Sequence, residues 1–333
     1  MLRVAGVVFV FWNLIAFEAQ AMDITRPEVH GFIDKMVKDH QFKRSDLEAI
    51  LQDAVSQQPI LDAIAKPAER TIPWFEYRER FLTDKRIKKG VAFAQDNEKL
   101  LAKLTEQSAP VSEILGILGV ETMYGELAGK YRVLDALATL SFDYPPRSNF
   151  FIGELEQYLL LAQEQHIVIK DAIGSYAGAM GAPQFMPRSY RAFAVDGDGD
   201  GKVDLWSDWN DVLFSVANYL KQYGWHDGEP VVVTAEYAPK EAPPYSVGDI
   251  ALNETIASLK AKGVSFTTSL PDTSPAVLIT LQGKNGPEYR VGFNNFYVIT
   301  RYNRSPLYAN AVIELGHAIT TQMAAQSTTT KIP

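Results

Sequence analysis

After Arg26, apolar residues recur three and four positions apart in "EVHGFIDKMVKDH" (28–40), "RSDLEAILQDAV" (44–55) and "DNEKLLAKLTEQ" (96–107). That period gathers them on one face of a helix, so the spacing predicts a helical region from Arg26 to about Ser108. Ser45 and Asp46 suit a helix start ahead of Leu47, and Pro59, Pro67 and Pro73 interrupt the later segments. Helical patterning continues from Pro110 to about Trp225, broken at "YPPRSN" (144–149) and by an aspartate-rich loop. The texture then changes. "EPVVVTAEY" (229–237) and "AVLITLQGKNGPEYRVGF" (276–293) are β-branched runs, and the second reads as a hairpin around its Gly- and Asn-containing turn. A last helical run, "LYANAVIELGHAITTQMAAQ" (307–326), precedes the polar "STTTKIP". The predicted fold class is α+β, mainly α, with a small β region placed late.

Composition narrows the function classes. A chain of 333 residues, 47% apolar and 22% charged, is globular and long enough for two or three folding units. Its net charge of −8 lacks the basic footprint that nucleic acid or an anionic membrane surface requires. The chain contains no cysteine, which excludes disulfides and thiol-linked lipid anchors. Arg3, the apolar stretch Val4–Phe17 and the small-x-small exit Ala19-Gln20-Ala21 form a secretory signal pattern, with Met22 as the expected mature start. The alternative, an uncleaved anchor, requires about 20 apolar residues, more than this stretch supplies.

The helix in "PVSEILGILGVETMYGELAG" (110–129) carries the most chemistry. At about 100° per residue, Val111, Ile114, Leu115, Ile117 and Leu118 form a broad apolar arc, and Glu121 falls inside it. A carboxylate buried there without a cation favours its protonated form and becomes a candidate general acid. Pairing with an Arg or Lys from another helix is the competing reading. Gly125 and Gly129 would end the helix and open space beside Glu121, with Tyr124 as an aromatic wall. Further on, "GSYAGAMGAPQFMP" (174–187) allows close backbone approach, and Ser175 and Gln184 within it suit the hydroxyl and acetamido groups of a sugar. Tight helix packing would use the same small residues.

The segments "GVETMYG", "LDALATLSFDYPPRSNFF", "GSYAGAMGAPQFMPRSY", "AVDGDGDGKVDLW", "SVANYLKQYGW" and "NFYVITRYNRS" occur in an order that resembles the lytic murein transglycosylase B family over roughly residues 70–320. The resemblance implies a lysozyme-like catalytic core with an additional helical domain and a small β domain. It implies cleavage of the β-1,4 bond between N-acetylmuramic acid and N-acetylglucosamine in peptidoglycan, leaving a 1,6-anhydromuramoyl end. Glu121 matches the family's acid/base. Tyr77, Ser175, Gln184, Tyr219, Tyr302 and the neighbouring Asn303 match glycan-contacting positions, Tyr124 flanks the acid, and Phe150 stands where a tyrosine can occur. One carboxylate serves both proton steps in this reading. Glu126 and Asp143 lie off any apolar arc and read as solvated or structural.

Asp196, Asp198 and Asp200 occupy the first, third and fifth places of an EF-hand-like loop, with Gly201 at the turn and Lys202 offering its carbonyl. Such hard oxygen ligands favour Ca2+ in a structural role. Ser207 departs from the glutamate expected at the twelfth place, and the resemblance puts Asp211 there instead. An acidic turn without an ion is the plainer reading.

The expected organisation is a signal peptide (1–21), a helical domain (22–108), a lysozyme-like core with the acidic loop (109–228), a small β domain (229–290), a return to the core with the C-terminal helix (291–326) and a polar tail (327–333). The expected setting is the periplasm, with peptidoglycan glycan strands as partner, cell-wall synthesis enzymes as possible associates, and neither nucleic acid nor a membrane anchor. A non-enzymatic calcium-stabilised wall-binding module and a hydrolytic muramidase are the competing functions. The first would not need Glu121, and the second would need another carboxylate to activate water.

Overall fold

The computed structural model describes residues 20–65 and 72–329; nearly all of the expected signal segment, Pro67 and the end of the polar tail lie outside them. The N-terminal part comprises β1 (Gln20–Ala21), α1 (Pro27–His40), α2 (Arg44–Asp53), β2 (Val55–Ser56), α3 (Gln58–Ala65), α4 (Trp74–Phe81), α5 (Asp84–Asp96) and α6 (Glu98–Glu106). It leads into α7 (Val111–Thr122), β3 (Tyr131–Arg132), α8 (Val133–Phe142), α9 (Ser148–Glu164), β4 (Ile173–Gly174), α10 (Pro187–Phe193) and α11 (Trp209–Gln222). Then come β5 (Val232–Tyr237), β6 (Glu254–Thr255), α12 (Ile256–Ala261), β7 (Val264–Ser265), β8 (Pro275–Gly283) and β9 (Gly286–Gly292), followed by α13 (Asn294–Tyr302) and α14 (Pro306–Thr329). Helix α2 begins at Arg44, so Ser45 and Asp46 lie in its first turn and do not cap it.

The core does not divide at residue 108. Ile33, Met36, Leu47 and Leu51 of α1 and α2 share one apolar cluster with Leu118, Leu134, Leu155 and Val312. Each such side chain, fully buried, contributes about 1.5–3 kcal/mol. Every residue of α8 is buried, as befits a helix apolar all round. Its one carboxylate, Asp135, accepts from the Val55 amide and from Gln57 Nε2 at 3.0 Å each, and pairs with Arg132. A buried acid is tolerated when its lone pairs are filled in this way.

Two helices cross at close range. A Cβ on Gly116 of α7 would lie 2.1 Å from the Val312 carbonyl oxygen, and one on Gly316 of α14 would lie 2.1 Å from that of Ser112. Glycine at both contacts lets the backbones approach, and this approach sets the position of α14 along α7.

The late β region forms an antiparallel sheet of order β6-β8-β9-β5-β7 with its own apolar cluster, including Ile256, Leu259, Val264, Val291 and Phe293. Its central hairpin turns at Lys284-Asn285 between paired Gly283 and Gly286, as the sequence predicts. The segment 173–186 is not helical. β4 pairs with β3, and bridges from Met180 to Gly174 and Phe185 curl the chain through the positive φ of Gly178, Gly181 and Gln184. Small residues carry no hydrophobic period, and these backbone angles are incompatible with a continuing helix.

Candidate active site

Glu121 stands in the last turn of α7, partly buried, with its helix fully buried from Ile114 to Val120. The chain leaves that helix through three consecutive left-handed residues, Met123, Tyr124 and Gly125, at φ of 53°, 60° and 84°. Left-handed conformations in residues other than glycine cost about 1–2 kcal/mol each, and tertiary contacts hold them here. Thr122 Oγ1 donates to the Ala182 carbonyl at 2.8 Å and accepts the Gly125 amide at 3.0 Å, tying the end of α7 to the curled segment. Gly129 meets the same segment, where a Cβ would fall 2.0 Å from the Gly174 carbonyl oxygen.

The hydroxyl of Tyr308, on α14, donates to Glu121 Oε1 at 2.7 Å. Tyr302 stacks on Tyr308 with ring centroids 6.4 Å apart and 13° between planes, and Tyr219 lies 4.8 Å from Tyr302. Burial first, then the charge of Glu121, holds the phenols of Tyr302 and Tyr308 well above their ordinary pKa. Both therefore stay protonated, and the bond donated by Tyr308 orients the carboxyl of Glu121. The hydroxyl of Tyr302 donates to the Pro183 carbonyl and that of Tyr219 to the Arg301 carbonyl at 2.7 Å. Both hydroxyls are thus engaged within the protein, with Tyr219 buried and Tyr302 partly so. Tyr77 of α4 is buried, 5.0 Å from Phe81 between ring centroids, and its phenol is close enough to Tyr308 to help raise it.

The other expected residues each make contacts of their own. Tyr124 is not a wall of the site. Its ring stacks on Phe93 at 4.9 Å, and its hydroxyl donates to the Leu115 carbonyl at 3.2 Å within the core. The left-handed turn swings it behind α7. Ser175 Oγ accepts the Ala179 amide at 3.1 Å, and Gln184 Nε2 donates to the carbonyls of Ala128 and Gly181 at 3.1 and 2.9 Å. Both side chains thus brace the curled segment. Phe150 is 42% exposed under the Arg147 guanidinium, 4.6 Å from the ring centroid. Asn303 lines a cavity of about 460 Å3 with Arg147, Asp249, Arg304 and Leu307. Asp143 accepts from Arg26 and from Ser56 Oγ, each at 2.6 Å, and Glu126 pairs with Lys89.

In the acidic loop, carboxylate oxygens of Asp196, Asp198 and Asp211 come within 4.8 Å of one another. Asp211 is buried, and desolvation together with the charges of Asp208 and Asp196 raises its pKa, although the Asp204 and Gly197 amides oppose this. Hard oxygen donors converging on a buried carboxylate fit a hard cation. Asp200, expected as a fourth carboxylate, stands outside this group, and its Oδ1 accepts the Lys202 amide at 2.8 Å.

Residues 25–317 match the family described as "Transglycosylase SLT domain". The chain belongs to that family. It is 41% identical over 303 residues to the membrane-bound lytic murein transglycosylase B of Escherichia coli K12, covering 88% of this chain and 82% of that one. The soluble lytic transglycosylase SltB1 from Pseudomonas aeruginosa superposes with a TM-score of 0.83 at 45% identity, over 90% of this chain and all of that one. The Escherichia coli lytic transglycosylase Slt35 in complex with calcium superposes at 0.81 with 39% identity, over 95% of this chain and all of that one. Like these SLT transglycosylases, the chain is an enzyme, a lytic transglycosylase of peptidoglycan with a lysozyme-like α+β fold. Among the described residues no helix is long and apolar enough to cross a membrane.

Proposed function

We propose that Glu121 acts alone as acid and then base in cutting the β-1,4 bond between N-acetylmuramic acid and N-acetylglucosamine. The protonated carboxyl gives its proton to the departing glycosidic oxygen as positive charge develops at the muramoyl anomeric carbon. The carboxylate so formed takes the proton from the muramoyl C6 hydroxyl while that oxygen bonds to the anomeric carbon. The products are a 1,6-anhydromuramoyl end and a free C4 hydroxyl on N-acetylglucosamine, and no water is consumed. The observation that carries this reading is the Tyr308–Glu121 bond of 2.7 Å on a buried helix beside the Tyr302 and Tyr219 rings. A donor held protonated throughout suits a carboxyl that must be ionised midway and return to its acid form.

The engagement of Asp143 with Arg26 and Ser56 supports one carboxylate over two. Asp196, Asp198 and Asp211 would hold a structural Ca2+, a reading supported by their convergence and by the calcium complex of Slt35. The ion would brace the loop between α10 and α11 without entering the proton steps. The partly buried Tyr302 and the Asn303 cavity offer surfaces for the glycan strand in the periplasm after export. Glu121→Gln tests the core of the proposal, since it removes a transferable proton and little volume. Cleavage of purified sacculi should fall by about 10²–10⁴ or more with melting temperature and sacculus retention unchanged. Near-full activity in that variant would overturn the assignment.

A further inference from the structure

Two cavities meet at the end of α7 remote from Glu121. One of about 440 Å3 is lined by Gln107, Val195, Phe214, Lys221, Trp225 and Asp227 among others. The second, about 380 Å3, includes Glu113, Trp225, Asp227, Glu229 and Ser269. They share Pro110, Trp225 and Asp227, so they adjoin, and Trp225 borders both halves of the trough they make. Glu113 precedes Glu121 by eight residues on α7, a helical rise of about 12 Å, so the trough lies at a separate place from the reacting carboxylate.

The lining has a definite chemistry. Trp225 is half-buried, and Phe214, Val195 and Ala217 give the trough an apolar floor beside it. Gln107, Lys221, Asp227 and Ser269 stand exposed around it with hydrogen-bonding groups of both kinds. A flat apolar face with a ring of directed polar groups matches a sugar, whose C–H face packs on an aromatic ring while its hydroxyls pair with carboxylates and amides. Asp227 and Glu229 stand in one half, so a carboxylate-bearing peptide is repelled there and a neutral glycan is not. A trough whose two halves both border the indole suits a linear chain better than a single ring.

We propose that this trough is a second glycan-binding site, holding a neutral run of β-1,4-linked N-acetylhexosamine against Trp225 and keeping the enzyme on the insoluble wall between cuts. The proposal rests on the glycan-cleaving reading for its choice of ligand, and its test does not depend on cleavage. Titration calorimetry of the full chain with chitotetraose, which contains no muramic acid, should give two equivalents, one in the active-site cleft and one in the trough. Trp225→Ala should retain one equivalent, and in a Glu121→Gln background it should weaken retention on sacculi by about tenfold, as truncation of an aromatic anchor does. Should Trp225→Ala melt early, Asp227→Ala with Lys221→Ala, both on exposed residues, should also lower the second equivalent's affinity. A single equivalent in the wild-type chain, or two unchanged equivalents in the well-folded variants, would overturn the proposal. If two equivalents bind while the chain cleaves no peptidoglycan, the Glu121 mechanism fails and the second site stands.

Discussion

Replacing Glu113 by Gln should stabilise the protein above neutral pH and leave it nearly unchanged in acid. Glu113 lies in the first turn of α7, where burial pushes its carboxyl from 4.5 up to about 7 against the opposing bond to its own backbone amide. Below pH 4.5 the group is protonated whether the chain is folded or not, so the substitution changes little. Between 4.5 and about 7 the unfolded chain releases its proton first, and the folded state loses stability as pH rises. Above 7 the penalty is complete, about 3 kcal/mol for a gap of this size. The glutamine has nearly the same volume and no charge to desolvate. Thermal unfolding of both chains at pH 4.5 and pH 8 should show coincident melting in acid and an advantage of roughly 5 °C for Glu113→Gln at pH 8. Parallel pH profiles for the two chains would refute the reasoning, because they would mean that Glu113 ionises as easily in the folded protein as out of it.

Gly316→Ala places a methyl 2.1 Å from the fixed Ser112 carbonyl oxygen, so α14 must move off α7 and carry Tyr308 with it. The expected result is a loss of about 1–3 kcal/mol in stability together with slower cleavage of sacculi, while full activity at unchanged stability would show that the helices tolerate separation. Added calcium should raise the melting temperature and chelation lower it, by an amount set by the ratio of free ion to its dissociation constant. Asp211→Asn should abolish that response, and a wild-type melting curve indifferent to chelator would reject the site.

Much of the fold could be read where side chains carry a period. The arc of α7 placed Glu121 correctly among buried neighbours, and the β-branched runs marked β5, β8 and β9. Tyr308 escaped because its partner is 187 residues away and nothing local distinguishes it from any other aromatic on a packed helix. Tyr124 misled for a related reason. Helical extrapolation set it beside Glu121, whereas the left-handed turn after Thr122 reverses it into the core. The segment 173–186 has too few large apolar residues to declare a period, so its curled course follows from backbone angles at Gly178, Gly181 and Gln184. Long-range pairs such as Arg26 with Asp143 join the N-terminal helices to the core, and no sequence window shows which faces meet across 117 residues.

The central claim is that one carboxyl, Glu121, makes the muramoyl C6 hydroxyl the nucleophile. Mass analysis of muropeptides released from purified sacculi by the wild-type protein tests it most directly. If the C6 hydroxyl attacks, its advantage over water is proximity, and products should be lighter by one water than hydrolysed ends and unchanged by borohydride. Predominantly reducible muramoyl ends would contradict the account, because water would then be the nucleophile and a second carboxylate would have to activate it.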